Sequence, residues 1–516
     1  MGNGVCPVKK WQWAAVVVLL LQLFLRTHEI LALPGYADES LHIRRAEVVW
    51  DFNTNTSWIP KKLLLYYYLG LFEVPRVDYL LVSRLMVALS TLLGGAGIYA
   101  LGKKLFDSPV GVMALFLYAV SPFAIFFDRL ALADPFTLAL SMVTIWCCLL
   151  WIKNPTVKMS IVAGILFTLM ILAKFTAAGF MAAPFVGIWL FENHHHWRQR
   201  YLKPLLIIGG ILAAVWIPIF IPIMIGQAND EPIVFIDDYL LNIHEDQNFV
   251  ENLADNMRIA IEQTAIYLWT PILILTVICA GALLMWRRKV GVFLIVLFIL
   301  AWSPAVVAGS FPRSRYLEIG VPFLTLILAG GLYTLAAQIR ESERRFTLER
   351  TIMVGILVYG LAWGGYFFQQ AVTKPEDLDL PEQDRWRYIQ STTSGYGQRE
   401  AVEYLATDAQ PSIHSGKAEV YGILGSCHSL RLYMEEPGPV HLTCAEYSFI
   451  DHQMAPETLA DIVQQTETHS WIYILMEPSL ETNYDALPLE WELEKRFLRP
   501  HEGRELELWR VRAVKQ

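Results

Sequence analysis

The stretch YLLVSRLMVALSTLLGGAGIYALGKKLFDSPVGVMALFLYAVSPFAIFFDRLALADP, residues 79–135, decides the fold. Two apolar runs, 79–101 and 109–127, are each close to the ~20 residues that cross a ~30 Å hydrocarbon layer as a helix. Lys103 and Lys104 mark the turn between them, and Arg129 and Asp134 follow the second run. Apolar segments with charges only at their ends describe a chain threaded through a membrane.

Working outward, the same pattern gives eleven spans: 11–32, 79–101, 109–127, 134–152, 158–173, 175–191, 204–225, 264–286, 291–309, 317–338 and 350–368. The fifth and sixth are short and divided only by Lys174. The first follows Lys9 and Lys10 like a signal peptide, but Arg26-Thr27-His28-Glu29 replaces a small-residue cleavage site, so it reads as an uncleaved span. Hydrophobic residues make up 55% of the 516 and charged ones 17%, against about 25% charged in soluble domains. Trp, Tyr and Phe cluster near the ends of the runs, as interfacial belts require. Basic residues are scattered through short loops, which excludes a nucleic-acid surface.

Lys and Arg stay on the cytoplasmic side of short loops. Alternate loops of the eleven-span reading hold Lys9, Lys10, Lys103, Lys104, Lys153, Lys158, Arg198, Arg200, Lys203, Arg287, Arg288, Lys289, Arg340, Arg344, Arg345 and Arg350. The short loops of the other set hold Arg129, Lys174, Arg313 and Arg315. The N-terminus is therefore expected inside, with the loops 33–78 and 226–263 outside. A multi-pass cell-membrane protein is the expectation, with residues 1–370 as the transmembrane domain. Beyond it, residues 371–516 shift to a polar composition with short apolar runs at Ala418–Leu424, Val440–Cys444 and Trp471–Met476. Helix-like stretches at Gln398–Thr407 and Pro456–Thr466 make that region an extracytoplasmic α/β domain. Cys147, Cys148 and Cys279 lie in apolar runs as packing residues, whereas Cys427 and Cys444 can pair if the domain is exported.

The exterior charges are few: Asp38 and Glu39, Arg129 and Asp134, Lys174, and Arg313 with Arg315 and Tyr316. Charges at a membrane boundary are usually paired or functional. Taken singly, each has an ordinary explanation. Asp134 before Pro135 can cap a helix, Arg129 can pair with Asp128 or Asp134, and Tyr316 can be an interfacial aromatic. Together they suit a site that binds an anionic amphiphile and deprotonates a second group.

Several stretches carry a resemblance. Gly35-Tyr36-Ala37-Asp38-Glu39-Ser40 follows the first span and Pro60-Lys61-Lys62 ends its loop. Ser83-Arg84-Leu85, Asp128-Arg129-Leu130 with Asp134-Pro135, Leu172-Ala173-Lys174-Phe175 and Arg315-Tyr316-Leu317 come after, in that order. Over about residues 11–370 the chain resembles the GT-C superfamily, specifically the protein O-mannosyltransferase and aminoarabinose-transferase relatives. The resemblance implies an all-α transmembrane bundle that transfers one sugar, with inversion, from a polyprenyl-phosphate donor to a glycan, lipid or protein hydroxyl outside the membrane. It implies that Asp38 is the general base, with Glu39 orienting the acceptor or completing the carboxylate pair. Lys174, Arg315 and Tyr316 are the candidates for the donor phosphate, with Lys61 or Lys62 as alternates, because relatives carry Lys-Pro-Pro where this chain has Pro-Lys-Lys. Arg129 and Asp134 are supporting residues. His42 near Asp38 is the one candidate for a divalent metal with the carboxylates, and the lack of ligand spacing argues against a metal or other cofactor.

The tract His194-His195-His196 reads as a solvated cytoplasmic loop, and Asn55-Thr56-Ser57 is a glycosylation sequon. The acids Asp230, Glu231, Asp237, Asp238, Glu245 and Asp246 lie in the loop 226–263, as a solvated stretch or a cover for the site. Two other functions compete. A lipid-linked glycan polymerase or ligase also works outside, but without an Asp-Glu first loop. A transporter needs polar groups near the bilayer midplane, whereas these charges gather at one face.

Overall fold

The computed structural model describes residues 8–51, 62–72, 78–192, 197–228, 249–307, 312–339, 342–391, 393–409, 411, 416–424, 427–434, 438–445, 456–469, 471–477, 489–500 and 505–514. Lys61, the Asn55 sequon, His194–His196 and the acids Asp230–Asp246 lie outside these residues. The chain forms two compact units, one of Met1–Ile30, Val48–Leu69 and Arg84–Gln370, the other of Leu31–Glu47, Gly70–Ser83 and Ala371–Gln516.

The first unit is helical. Six described helices are long and apolar enough to cross a membrane: Tyr79–Leu105, Ala133–Lys153, Trp197–Ile221, Arg288–Val307, Ser314–Ala337 and Arg350–Thr373. A bent pair, Val250–Leu268 with Thr270–Trp286, makes a seventh candidate. Shorter apolar helices occupy Ser108–Ala119, Val157–Ala173 and Phe175–Phe191. The chain is a multi-pass membrane protein. The expected span 109–127 is broken into Ser108–Ala119 and Pro122–Phe127, because Pro122 has no N–H to continue the ladder. The expected span 264–286 is broken too. Its first residues end a longer helix, Phe249–Leu268, where a loop was expected. The two helices meet at Trp269 (φ 68°) at an angle of 110°. Thr270-Pro271 starts the second helix afresh, again with proline in the first turn.

Small residues let these helices touch, as they do in membranes, where apolar surface alone does not drive association. A Cβ on Gly97 would stand 2.7 Å from the Met142 Cβ, and one on Gly331 would stand 2.7 Å from the Cys279 Cα. Buried polar side chains bridge helices as well: Gln22 Nε2 donates to the Thr91 carbonyl at 3.0 Å, and Trp151 Nε1 to Ser160 Oγ at 2.9 Å.

Among the described residues of the second unit, five strands lie in the order β2-β1-β3-β5-β4. They are β1 (Ala418–Ile423), β2 (Val440–Cys444), β3 (Ile472–Met476), β4 (Leu489–Phe497) and β5 (Leu506–Ala513). β1 runs parallel to β2 and β3, whereas β5 runs antiparallel to β3 and β4. Alternation along the strands builds a core on each face. Val420, Tyr473, Leu475 and Leu508 pack with Ala401, Val402 and Leu405 of the helix Gln398–Thr407. Tyr421, Ile423, Ile474 and Val511 pack with Ile462 of the helix Pro456–His469. A Cys427–Cys444 disulfide ties the segment after β1 to the end of β2. β4 and β5 were not among the expected strands. Their alternation is filled with charges, including the cross-strand pairs Arg510–Glu492 at 2.7 Å and Arg512–Glu490 at 2.6 Å.

Candidate active site

In the helical unit, the end of the helix Val157–Ala173 and the start of Ser314–Leu317 supply the first parts of a site. Lys174 leaves the helical ladder in extended backbone (φ −162°, ψ 124°), and its buried side chain ion-pairs with Asp134. Asp134 stands in the first turn of Ala133–Lys153, where a carboxylate suits the positive helix end. It is not the cap expected from the sequence: Leu132 holds that position, and the Asp134 carboxylate is turned to Lys174. The Lys174 ammonium also lies over the Tyr316 ring, 3.9 Å from its centroid. Tyr316 accepts a hydrogen bond at its hydroxyl from Arg315 Nη2 at 3.2 Å, and Arg313 approaches the same ring at 5.9 Å. Three cations thus surround one phenol.

Lys62, Asp134, Lys174 and Tyr316 line a cavity of about 370 Å³. Most of the remaining wall is apolar, with Phe175, Phe180, Ala301, Pro304, Val307 and Ile319 in it. Sequence reasoning found the charged residues and missed this wall. Its signal was present in Pro304, a proline inside an apolar helix, and in Phe175-Thr176-Ala177-Ala178-Gly179, which forms a 3₁₀ segment where a regular span was expected.

Arg129 takes a different place from the one expected. It donates to the carbonyls of Leu25 (3.1 Å), His28 (2.8 Å) and Glu29 (2.6 Å), groups left without helical partners where the helix Val8–Thr27 ends. Neither candidate acid pairs with it: Lys174 holds Asp134, and Arg26 Nε donates to Asp128 at 2.9 Å with both side chains fully buried. Tyr118 donates to Asp128 at 3.0 Å, and Arg26 Nη1 donates to the Ala119 carbonyl at 2.7 Å. This Arg26–Asp128–Tyr118 cluster was not foreseen.

Asp38, Glu39 and His42 belong to the second unit, on the helix Ala37–Val48. Its start is fixed from two sides. The Ala37 N–H donates to the Thr393 carbonyl at 3.0 Å, and the Gly35 N–H donates to the Tyr433 hydroxyl. The Tyr36 and Tyr388 rings lie 4.5 Å apart. A Cβ on Gly35 would meet the tip of Leu432 at 2.7 Å, so a larger residue there would need that side chain to move. Glu39, fully buried, accepts the Tyr36 N–H at 2.9 Å, so its carboxylate closes the first helical turn from the third position. Asp38, one residue earlier, is half-buried, and His42 is buried at 1% exposure. Farther along the same helix Arg44 lies against His428. Burial, aided by Arg44 and Arg431, pushes that imidazole down to about 4, so it is neutral at neutral pH. Among the described residues no three His, Cys, Asp or Glu side chains converge as metal ligands do.

The model of the dolichyl-phosphate-mannose-protein mannosyltransferase family matches residues 64–225. Among solved structures, ArnT of Cupriavidus metallidurans bound to undecaprenyl phosphate shares 14% identity. The match covers 97% of each chain with a TM-score of 0.60. The archaeal oligosaccharyltransferase AglB of Archaeoglobus fulgidus, solved with an inhibitory peptide and a dolichol-phosphate, shares 12% identity. That match covers 92% of this chain and 70% of AglB, with a TM-score of 0.56. No curated protein sequence matches. Over residues 64–225 the chain is thus similar to the dolichyl-phosphate-mannose-protein mannosyltransferase family, and it shares its fold with ArnT and AglB.

Proposed function

We propose that the protein transfers a single sugar from a polyprenyl-phosphate donor to an acceptor hydroxyl on the non-cytoplasmic side of the membrane. The observation that carries the reading is the mostly apolar cavity whose wall holds Lys62, Lys174 and Tyr316. A lipid phosphate needs such a mixture: apolar wall for the chain beside its head, and cations for the phosphate.

The acceptor oxygen attacks the anomeric carbon as the bond from that carbon to the phosphate oxygen breaks. Attack from the side opposite the leaving group inverts the centre. Asp38 takes the hydroxyl proton and passes it to water, while polyprenyl phosphate leaves as an anion. Lys174, Arg315 and Lys62 stabilise the negative charge that grows on the phosphate. Tyr316 holds Lys174 over its ring and donates its own hydroxyl proton to a phosphate oxygen. Glu39 sets the start of the helix that presents Asp38. The sign bias of the basic residues supports an exterior site with a cytoplasmic N-terminus and an extracytoplasmic domain at 371–516. The Cys427–Cys444 disulfide supports export of that domain.

The test is Asp38→Asn in the purified full chain, supplied with radiolabelled polyprenyl-phosphate sugars and candidate acceptors. Transfer should fall by roughly 10²–10⁴-fold with donor binding kept. Full transfer by the variant would remove Asp38 from the reaction. Movement of labelled lipid across vesicles, with no sugar transferred to any acceptor, would favour transport instead.

A further inference from the structure

The helix Phe249–Leu268 has three faces where a helix in water or in lipid has two or one. At about 100° per residue its side chains sort into three sectors. Asn256, Ala260, Gln263, Thr264 and Tyr267 form one, all buried in the protein. A second consists of Val250, Ala254, Met257 and Ile261, all exposed and apolar. Between them, Glu251, Asp255, Arg258 and Glu262 form an exposed charged row, with Arg258 3.6 Å from Asp255 and 3.9 Å from Glu262.

We propose that this helix lies along a membrane–water interface, its Val250–Met257–Ile261 stripe sunk at the boundary of lipid headgroups and acyl chains and its charged row in water. Crossing the bilayer would set four charged side chains against hydrocarbon, where unpaired charge is costly. The bend gives the orientation. The next helix, Thr270–Trp286, exposes Ile274, Val277 and Ile278 and is apolar throughout, as a lipid-facing span is. A helix meeting a membrane-crossing one at 110° runs nearly in the membrane plane. The corner is Trp269, exposed at 47%, a residue type that favours the interface. Exposed apolar side chains thus stand on both sides of Trp269, on this helix and on the next, which makes lipid the occupant of the stripe.

The inner sector ties this helix to the proposed phosphate site. Asn256 Nδ2 donates to the Val306 carbonyl at 3.1 Å, and Gln263 Nε2 donates to the Pro312 carbonyl at 3.2 Å. Those carbonyls bracket the residues that lead into Arg313, Arg315 and Tyr316. A helix resting on the membrane surface therefore sets the depth at which these cations meet a lipid headgroup.

The experiment places single cysteines by Met257→Cys, Ile261→Cys, Asp255→Cys and Glu262→Cys, in a background where Cys6, Cys147, Cys148 and Cys279 are replaced by alanine. The full chain, labelled with a nitrobenzoxadiazole dye, is held in phosphatidylcholine–phosphatidylglycerol nanodiscs. Dyes at 257 and 261 should shift blue and be quenched several-fold more by a shallow doxyl lipid than by iodide, with the order reversed at 255 and 262. Equal iodide quenching at all four sites would overturn the proposal in favour of a solvated helix. Strongest quenching of all four by a deep doxyl lipid would overturn it in favour of a crossing one. Because the readout is not activity, it stands apart from the test of the Asp38 chemistry.

Discussion

The Lys174 ammonium is shared between the Asp134 carboxylate and the face of Tyr316, whose ring centroid is 3.9 Å away. A buried cation held by an acid and a ring is desolvated before any ligand arrives, and a desolvated cation–π contact is worth about 2 kcal/mol. Lys174→Met should therefore lower transfer by about 10²–10³-fold, the usual loss when a charge-stabilising group is removed. Tyr316→Phe keeps the ring beneath the ammonium and should lose far less than Tyr316→Leu. Steady-state rates across donor concentrations check the order, and equal losses for the two Tyr316 variants would count against the ring.

Glu39 and Asp38 are adjacent acids with separable duties. The Glu39 carboxylate closes the helix start by accepting the Tyr36 N–H. Glu39→Ala should cost about 0.5–2 kcal/mol of stability, as lost caps do. Glu39→Gln, which keeps an acceptor oxygen, should retain most of the transfer rate per folded molecule. Thermal midpoints measured beside rates on the same preparations distinguish the two duties.

Breaking the Arg26–Asp128 pair leaves a lone charge inside the bundle. Arg26→Met or Asp128→Leu alone should each cost about 3–5 kcal/mol. The double variant Arg26→Met/Asp128→Leu should cost clearly less than the sum of the singles. A double-mutant cycle from unfolding in mixed micelles measures the coupling, and additive losses would mean that the two side chains stabilise independently.

The Cys427–Cys444 bond encloses a short loop beside the parallel edge of the sheet. Cys444→Ser, or reductant added to the full chain, should lower stability by about 2–4 kcal/mol. In intact cells a membrane-impermeant maleimide should label these cysteines only after reduction. Labelling without reductant would mean that the bond does not form in the cell.

Much of the architecture was legible because a membrane restricts where charge can sit. Apolar runs end at Lys103, Arg129 and Lys174, and the structure ends or breaks helices at or near each. Which charges meet was not legible. Arg26 and Asp128 are 102 residues apart, and nothing local in either segment announces the other. Arg129 was assigned an acid because acids stood nearby in sequence, whereas three helix-end carbonyls stood nearer in space. The break at Trp269 hid behind an unbroken apolar run, since only Pro271 marked it. β4 and β5 hid for the opposite reason: strands laced with Glu, Arg and Lys read as loop when only apolar runs are counted.

The turn that presents Asp38 hangs from groups made very late. Gly35 bonds to Tyr433, 398 residues downstream, and Ala37 bonds to Thr393. A ribosome has released the first acidic loop long before it reaches either partner. The nascent bundle can thread its spans while its proposed base still lacks a fixed bearing, and so stays silent toward passing lipid carriers. Only once residues 393 and 433 are made and folded can the turn lock, so the proposed base gains its bearing late in synthesis.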